Sequence, residues 1–295
     1  MNDDVFNVTA ANQLPQPTQP PPSYALGSGG VLPPEAIASY REDGVVCLRQ
    51  VIAQTGVERL REAVDRSAEA PGPLGYKIGE PGKPGFFYYD FQIHERQDGY
   101  RWFVRESGVP ALAGALMGSP GVTLHYSNLF VKDGGSKMPS PWHEDASYSR
   151  IDGEQCLNFW VSLDTIPEAT ALIFLRGSHR RDGPIIAPRH FDPDADYDLA
   201  LSWNRAPVSD PESLFSSFEP IWWELEPGDA VVFNQRILHG APANTLATRR
   251  RAAALLMMGD EATYNADPGT SDPPFRDDSK AHGEHPAGAV FPRLI

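Results

Sequence analysis

Apolar and polar positions divide the chain into a helical first part and a strand-rich second part. Val57, Leu60 and Val64 recur at helical spacing among Glu58, Arg59, Arg61, Glu62 and Asp65, and Pro71 and Gly72 close the run. That pattern predicts an amphipathic helix over about residues 56–69. A shorter helix precedes it, with Pro34 suited to its first turn, Ile37 and Tyr40 three apart, and Gly44 suited to its stop. Val45, Val46 and Leu48 then read as a short strand. A loop rich in Gly and Pro runs to Gly85 and leads into an aromatic cluster of Phe86, Phe87, Tyr88, Tyr89 and Phe91, and a third helical stretch covers about residues 100–118. After Pro120 the period changes. Short apolar runs at 122–131, 156–163, 171–175, 221–225, 230–233 and 251–258 are separated by turn signals such as Asp133-Gly134-Gly135 and Pro227-Gly228-Asp229. Phe159, Val161 and Leu163 alternate with Asn158, Trp160 and Ser162, as in a strand with two distinct faces. The prediction is a mainly β protein, a barrel or double-sheet jelly roll, with the N-terminal α-helices packed on one outer face.

Composition narrows this picture. With 26 Gly and 29 Pro the chain has many turns, and 295 residues suffice for a large core without disulfides or metals. That length allows two average domains, but single all-β units also reach it. Residues 1–30, with Pro15, Pro17, Pro20, Pro21, Pro22 and a Gly-rich end, read as a flexible leader. Residues 31–295 read as one domain, with an insertion at about 180–220 and a polar tail or covering loop from about 267. The net charge of −14 argues against nucleic acid and against anionic membranes. Cys47 and Cys156 are too few for a disulfide framework. The opening MNDDVFNVTAANQ is unlike a signal peptide and no apolar run approaches a membrane span, so a cytoplasmic protein is expected; nothing fixes its oligomeric state.

The chain has no Walker loop, no GxGxxG, no CxxC and no GxSxG, which leaves histidine beside carboxylate. Three pairs have the HxD or HxE spacing: His143/Asp145, His190/Asp192 and His282/Glu284. Chance alone gives about one such pair in this composition, so context must separate them. His190/Asp192 lies among loop signals and His282/Glu284 in the polar tail. His143/Asp145 follows a predicted strand and a Gly turn, and residues i and i+2 of an extended chain reach the same side. A second histidine, His239, follows the predicted strand at 230–233, and Arg249, Arg250 and Arg251 open the next one. Two histidines and one carboxylate on one face leave open positions on a bound Fe(II). A buried arginine would need an anion, which its planar fork binds bidentately. Arg249 and Arg251 share one face and Arg250 takes the other; the continuous apolar run 252–258 does not choose between the faces.

The sequence resembles the phytanoyl-CoA dioxygenase family of Fe(II)/2-oxoglutarate-dependent oxygenases. The resemblance rests on SNLFVKDGG (127–135), WHEDASY (142–148), LNFWVSLD (157–164), ALIFLRGSH (171–179), PGDAVVFNQRILHGAPANT (227–245) and RRRAAAL (249–255), in the family's order within about residues 33–262. It implies a double-stranded β-helix, the jelly roll of cupin-like proteins. It makes His143, Asp145 and His239 the Fe(II) ligands. It makes Arg250, eleven residues after the distal histidine, the partner of the 2-oxoglutarate carboxylate. Asn128 matches a position that helps hold the cosubstrate, and Trp160 a tryptophan lining its pocket. Two positions depart from the pattern: Ala241 stands where Ser is common, and Arg176 where Pro is common. His179 reads as a turn residue rather than a ligand.

The implied activity is a dioxygenase that uses 2-oxoglutarate and O2, hydroxylates an unactivated C–H bond of a small organic metabolite, and releases succinate and CO2. Asp145 fills the position that halogenases of related fold leave to Ala or Gly, which favours hydroxylation or desaturation. The expected substrate is neutral or cationic, because a polyanion such as a CoA ester needs a basic patch, for which Arg180, Arg181 and Arg189 are the candidates. The aromatic cluster with Trp102 is read either as a lid over the metal or as core. The alternative function is a cupin-like metal protein without redox chemistry: a sensor, an isomerase or a hydrolase.

Overall fold

In a computed structural model the chain is described at residues 8–187, 205–207, 211–266 and 274–295. The helices are Pro34–Asp43 (α1), Gln54–Glu69 (α2), Ile93–Arg96 (α3), Asp98–Arg105 (α4), Val109–Met117 (α5) and Pro211–Ser217 (α6). The strands, in chain order, are Ser23–Ala25 (β1), Val45–Arg49 (β2), Tyr76–Ile78 (β3), Phe87–Phe91 (β4), Thr123–Lys132 (β5), Ser140–His143 (β6), Ile151–Asp152 (β7), Cys156–Ser162 (β8), Ile173–Leu175 (β9), Ile185–Ala187 (β10), Arg205–Pro207 (β11), Pro220–Ile221 (β12), Ala230–Asn234 (β13), His239–Ala241 (β14), Arg250–Met258 (β15) and Thr263–Tyr264 (β16). Two sheets make the barrel. The larger runs β1-β2-β13-β8-β15-β5-β4-β3 and the smaller β12-β9-β14-β6.

Period-2 alternation sends the central strands of the large sheet, β2, β13, β8 and β15, into two cores. Leu48, Phe159, Val161, Val232, Ala253 and Leu255 face outward and pack under α1, α2, α4 and α5. Trp160, Val231, Phe233, Ala252 and Ala254 face inward and meet Phe174 and Ile221 of the small sheet. The helical stretch expected over 100–118 is two helices, α4 and α5. Gly108, in a left-handed conformation (φ 82°), and Pro110 in the first turn of α5 break it. The run 221–225 pairs only at β12 and at an Ile166–Leu225 bridge. The loop before Gly85 contains β3, which lies on the aromatic strand β4.

The Pro-rich N-terminus, read from its composition as having little to bury, is packed against the barrel from Val8 onward. Val8, Ala11 and Leu14 are buried beside Trp142, Leu175 and Leu238. The Trp223 indole donates to the carbonyls of Pro21 and Pro22 at 3.1 Å each. Ser23–Ala25 then adds a parallel edge strand to β2. Proline removes backbone donors but leaves acceptors, and a neighbouring indole supplies the missing donor. At the other end Phe291 is fully buried, Phe275 packs on Phe91 and Tyr126, and Leu124 donates to the Pro292 carbonyl, so residues 274–295 cover the sheet edge. Within the expected insertion, β10 and β11 pair in parallel and α6 follows; His190, Asp192 and Arg189 lie outside the described residues. No helix among the described residues is long and apolar enough to cross a membrane.

Candidate functional site: a His-Asp-His cluster in the barrel

The small sheet brings the site together. His143 ends β6 and His239 begins β14, and the two are direct partners across an antiparallel pair. Their rings lie 4.2 Å apart. Asp145 follows on the next inward position, and its Oδ1 is 3.4 Å from His143 Nε2 and 3.6 Å from His239 Nε2. Among the described residues these three form the one His/Cys/Asp/Glu group with donor atoms close enough to share a metal ion, all within 4.8 Å of one another and all buried. His282 and Glu284 stand on an exposed turn, where Glu284 accepts from the Ala281 amide.

Local hydrogen bonds prepare these donors. His143 Nδ1 lies 2.6 Å from the Pro141 carbonyl and His239 Nδ1 lies 3.0 Å from the Ile237 carbonyl. A carbonyl only accepts, so both protons sit on Nδ1 and both Nε2 lone pairs are left free for a metal beside the Asp145 carboxylate. Asp145 Oδ2 accepts from Asn158 Nδ2 at 3.1 Å, and its Oδ1 accepts from the Tyr148 hydroxyl. Burial opposes the Asp145 charge, but in the acid range, where the rings can take up a second proton, His239 and His143 together with Tyr148 outweigh it and hold the carboxyl down, at about 2. Burial first, and then His143, pull His239 down to about 4, which keeps the ring a neutral donor at physiological pH. Burial and the Asp145 charge push the Tyr148 phenol well above its usual range, so it remains a hydrogen-bond donor. Two ring nitrogens and a carboxylate oxygen, with tautomer and charge already set, suit a divalent metal such as Fe(II).

The three arginines separate by face. Arg249 turns outward to Asp133 (Nε–Oδ1 2.6 Å) and Asp65, and Arg251 turns outward to Asp164 (Nη2–Oδ1 2.8 Å) and Asp65. Arg250 points into the barrel, 6% exposed, with its guanidinium 5.4 Å over the Trp160 ring. No carboxylate pairs with it among the described residues, and its Nε lacks a hydrogen-bond partner. Burial pulls this cation down to about 10. Beside it, across the β15–β5 pair, stands Lys132, buried, with its Nζ 3.2 Å from Ser140 Oγ and 5.9 Å over the Phe87 ring. Burial, and then Arg250, pull the Lys132 ammonium well below its usual range. Asn128 faces the same cavity with its Oδ1 buried and unpartnered.

The triad, Arg250, Lys132, Asn128 and Trp160 line one cavity of about 110 Å³, room for a small molecule rather than a single water. Its other wall is aromatic. Phe87, Tyr89 and Phe91 alternate along β4 and meet edge to face at 5.9 and 5.7 Å. Phe86 and Tyr88, on the opposite face of β4, belong to the core under the helices. Sequence reasoning missed Lys132, Tyr148 and Asn158 as site residues. Alternation held the signal for two of them: Lys132 shares a strand face with Asn128, and Asn158 with Trp160. Of the candidate basic patch, Arg181 pairs with Glu144 and Arg180 reaches the Arg41 carbonyl, while Arg189 lies outside the described residues. His179 packs against Gly44 and also contacts the Arg41 carbonyl, away from the triad.

A jelly roll with a buried 2-His-1-carboxylate face and an unpaired internal cation has the architecture of non-haem iron oxygenases that use a keto-acid cosubstrate. Comparison with known proteins agrees: the phytanoyl-CoA dioxygenase (PhyH) family profile matches residues 40–252. The chain belongs to that family and is an Fe(II)/2-oxoglutarate-dependent oxygenase. A methylphosphonate hydroxylase from Gimesia maris is 24% identical over 234 residues, covering 77% of this chain and 78% of its own. Among solved structures, the α-ketoglutarate-dependent carbocyclase SnoK of nogalamycin biosynthesis aligns with a TM-score of 0.67 at 24% identity, over 90% of this chain and 97% of its own. EvdO2 from Micromonospora carbonacea var. aurantiaca, complexed with 2-oxoglutarate, aligns with a TM-score of 0.57 at 24% identity, over 81% of this chain and 95% of its own. These structural likenesses show the fold, the double-stranded β-helix.

Proposed function

We propose that the protein hydroxylates an unactivated C–H bond of a small organic molecule, with His143, Asp145 and His239 holding Fe(II) and Arg250 receiving the far carboxylate of 2-oxoglutarate. The observation that carries this reading is Arg250: a buried cation without an acidic partner among the described residues, in the same cavity as the triad. A metal protein without an anionic cosubstrate would leave it uncompensated. Fe(II) held by these residues would supply the oxidising chemistry together with O2, with 2-oxoglutarate converted to succinate and CO2. The chain's own residues orient and enclose. Arg250 offers a planar fork braced on the Trp160 ring, Lys132 adds a further nitrogen donor beside it, and Asn128 presents its amide. Tyr148 and Asn158 donate to the two oxygens of Asp145 and hold its carboxylate in place beside the two histidines.

The Gimesia relative, a methylphosphonate hydroxylase, supports hydroxylation, while the carbocyclase SnoK shows the fold hosting another oxidative outcome. The aromatic wall of Phe87, Tyr89 and Phe91 favours a neutral, ring-bearing or hydrocarbon-rich substrate. A cationic one would meet Arg250 and Lys132 and find no carboxylate in the lining except Asp145. The test is an anaerobic titration of the apoprotein with Fe(II) and 2-oxoglutarate, following the chelate's weak visible absorption band. The wild type gives the band and forms succinate once O2 is admitted; His143→Ala gives neither. A folded, iron-loaded wild type without the band refutes the proposal.

A further inference from the structure

Glu144 separates the two nearest metal-site residues in sequence and points the other way. Its backbone is extended (φ −103°, ψ 135°), so its side chain leaves the face shared by His143 and Asp145. It enters a space where it is 0% exposed, and there it meets two arginines. Its Oε2 accepts from Arg236 Nε at 2.6 Å, and its Oε1 accepts from Arg181 Nη2 and from the Ile186 amide at 3.2 Å. The Glu144 amide donates back to the Ile186 carbonyl at 2.9 Å. A fully buried carboxylate shared by two guanidiniums is a costly arrangement unless every oxygen is satisfied, and here both are.

The partners lie where they bear on the site. Arg236 is adjacent to Ile237, whose carbonyl takes the Nδ1 proton of His239. On the other side, the Ala146 amide, next to Asp145, donates to the Gln235 carbonyl at 2.9 Å. The segment 144–146 is thus tied to the segment 235–237 twice, once through backbone and once through Glu144–Arg236. Arg181 and Ile186 fasten the base of β10 to the same carboxylate. We propose that Glu144 is a positioning residue for the metal centre: it locks the turn before His239 to the strand end that carries His143 and Asp145, and so sets the distance and orientation of the two imidazoles. This rests on the reading of the triad as a metal site, but not on 2-oxoglutarate or on the substrate.

The test uses Co(II) alone with the full-length apoprotein, reading affinity and the visible ligand-field spectrum. Glu144→Gln keeps volume and removes the charge; Arg236→Gln removes the partner nearest His239. Asp229→Asn is the control for a purely structural buried carboxylate. Asp229 is 2% exposed, bonds Arg49 Nη1 at 2.7 Å and the Gln50 amide at 2.9 Å, and sits at the turn before β13, away from the triad. Each of Glu144→Gln and Arg236→Gln is expected to weaken Co(II) binding by about 10–100-fold, the usual effect of losing an outer partner of a metal ligand, and to alter the spectrum. The double variant is expected to lose little more than either single one. Asp229→Asn is expected to lower the melting temperature and leave both metal readouts unchanged. Folded Glu144→Gln and Arg236→Gln proteins with wild-type affinity and spectrum overturn the proposal. If Glu144→Gln does not fold, Arg236→Gln decides alone. A wild type that binds Co(II) but gives no band with Fe(II) and 2-oxoglutarate removes the cosubstrate and leaves the role of Glu144 standing. A wild type that binds no Co(II) removes both.

Discussion

Replacing Arg250 by Met should raise the stability of the cosubstrate-free protein and abolish its response to 2-oxoglutarate. Arg250 is buried, braced only on Trp160, and faced by Lys132 rather than by an acid. Burial brings it down to about 10 from an ordinary 12.5, which at 1.36 kcal/mol per tenfold is a desolvation penalty of about 3 kcal/mol. The unfolded chain therefore holds this proton more tightly than the native one. The penalty is fully present below pH 10 and is relieved only as pH rises from about 10 towards 12.5, so at neutral pH it is constant. Met removes it, but forfeits the guanidinium–Trp160 interaction, worth about 0.5–2 kcal/mol. The net gain is about 1–2 kcal/mol, a melting point higher by a few degrees. The wild type recovers more than this when its anion arrives, because a ligand at about 100 times its Kd adds about 2.7 kcal/mol. The two proteins should therefore cross: Arg250→Met melts above the wild type without 2-oxoglutarate and below it with saturating 2-oxoglutarate. Calorimetry of anaerobic, metal-loaded samples reads this directly. An Arg250→Met protein that is less stable under both conditions, or that is still stabilised by 2-oxoglutarate as the wild type is, refutes the argument that this cation is held uncompensated for an anionic cosubstrate.

Gly44 closes α1 in a left-handed conformation (φ 78°), and a Cβ there would lie 2.3 Å from His179 Nδ1. Gly44→Ala should therefore cost at least about 2 kcal/mol in urea unfolding, with metal affinity unchanged; a loss within error would remove the structural role of His179. The apoprotein should also weaken in acid. Burial above all holds His125 down at about 3 and His94 at about 4, against an ordinary 6.5, so both stay neutral in the native state while the unfolded chain takes up protons. Their contribution is intact above pH 6.5 and is lost as pH falls through 6.5 towards 4 and 3. The urea midpoint should fall over that window and His125→Asn should flatten the fall; an unchanged slope in that variant would exclude His125 as a source.

The residues that were legible in the sequence are those whose signal is local. An HxD at a strand end, a histidine after an apolar strand and an arginine run opening the next strand are short-range patterns, and the fold gathers His143, Asp145, His239 and Arg250 around one cavity. Alternation failed at Arg249–Arg250–Arg251 for a physical reason. Both faces of β15 are buried, Ala252 and Ala254 in the barrel and Ala253 and Leu255 under the helices, so polarity marks neither side. The same two-faced burial explains the aromatic cluster. Lid and core were posed as alternatives, yet β4 puts Phe86 and Tyr88 into the core and Phe87, Tyr89 and Phe91 onto the cavity. The leader was misjudged because composition measures what a segment can bury by itself. Val8, Ala11 and Leu14 are too few for a core of their own, but suffice to cover Trp142 and Leu238, whose neighbours His143 and His239 face the cavity. Glu144 marks the limit of local reading most sharply. Nothing in HED distinguishes its middle residue from a solvated acid. What makes it the joint of the site are two arginines 37 and 92 residues away, and only the closed barrel brings them to it.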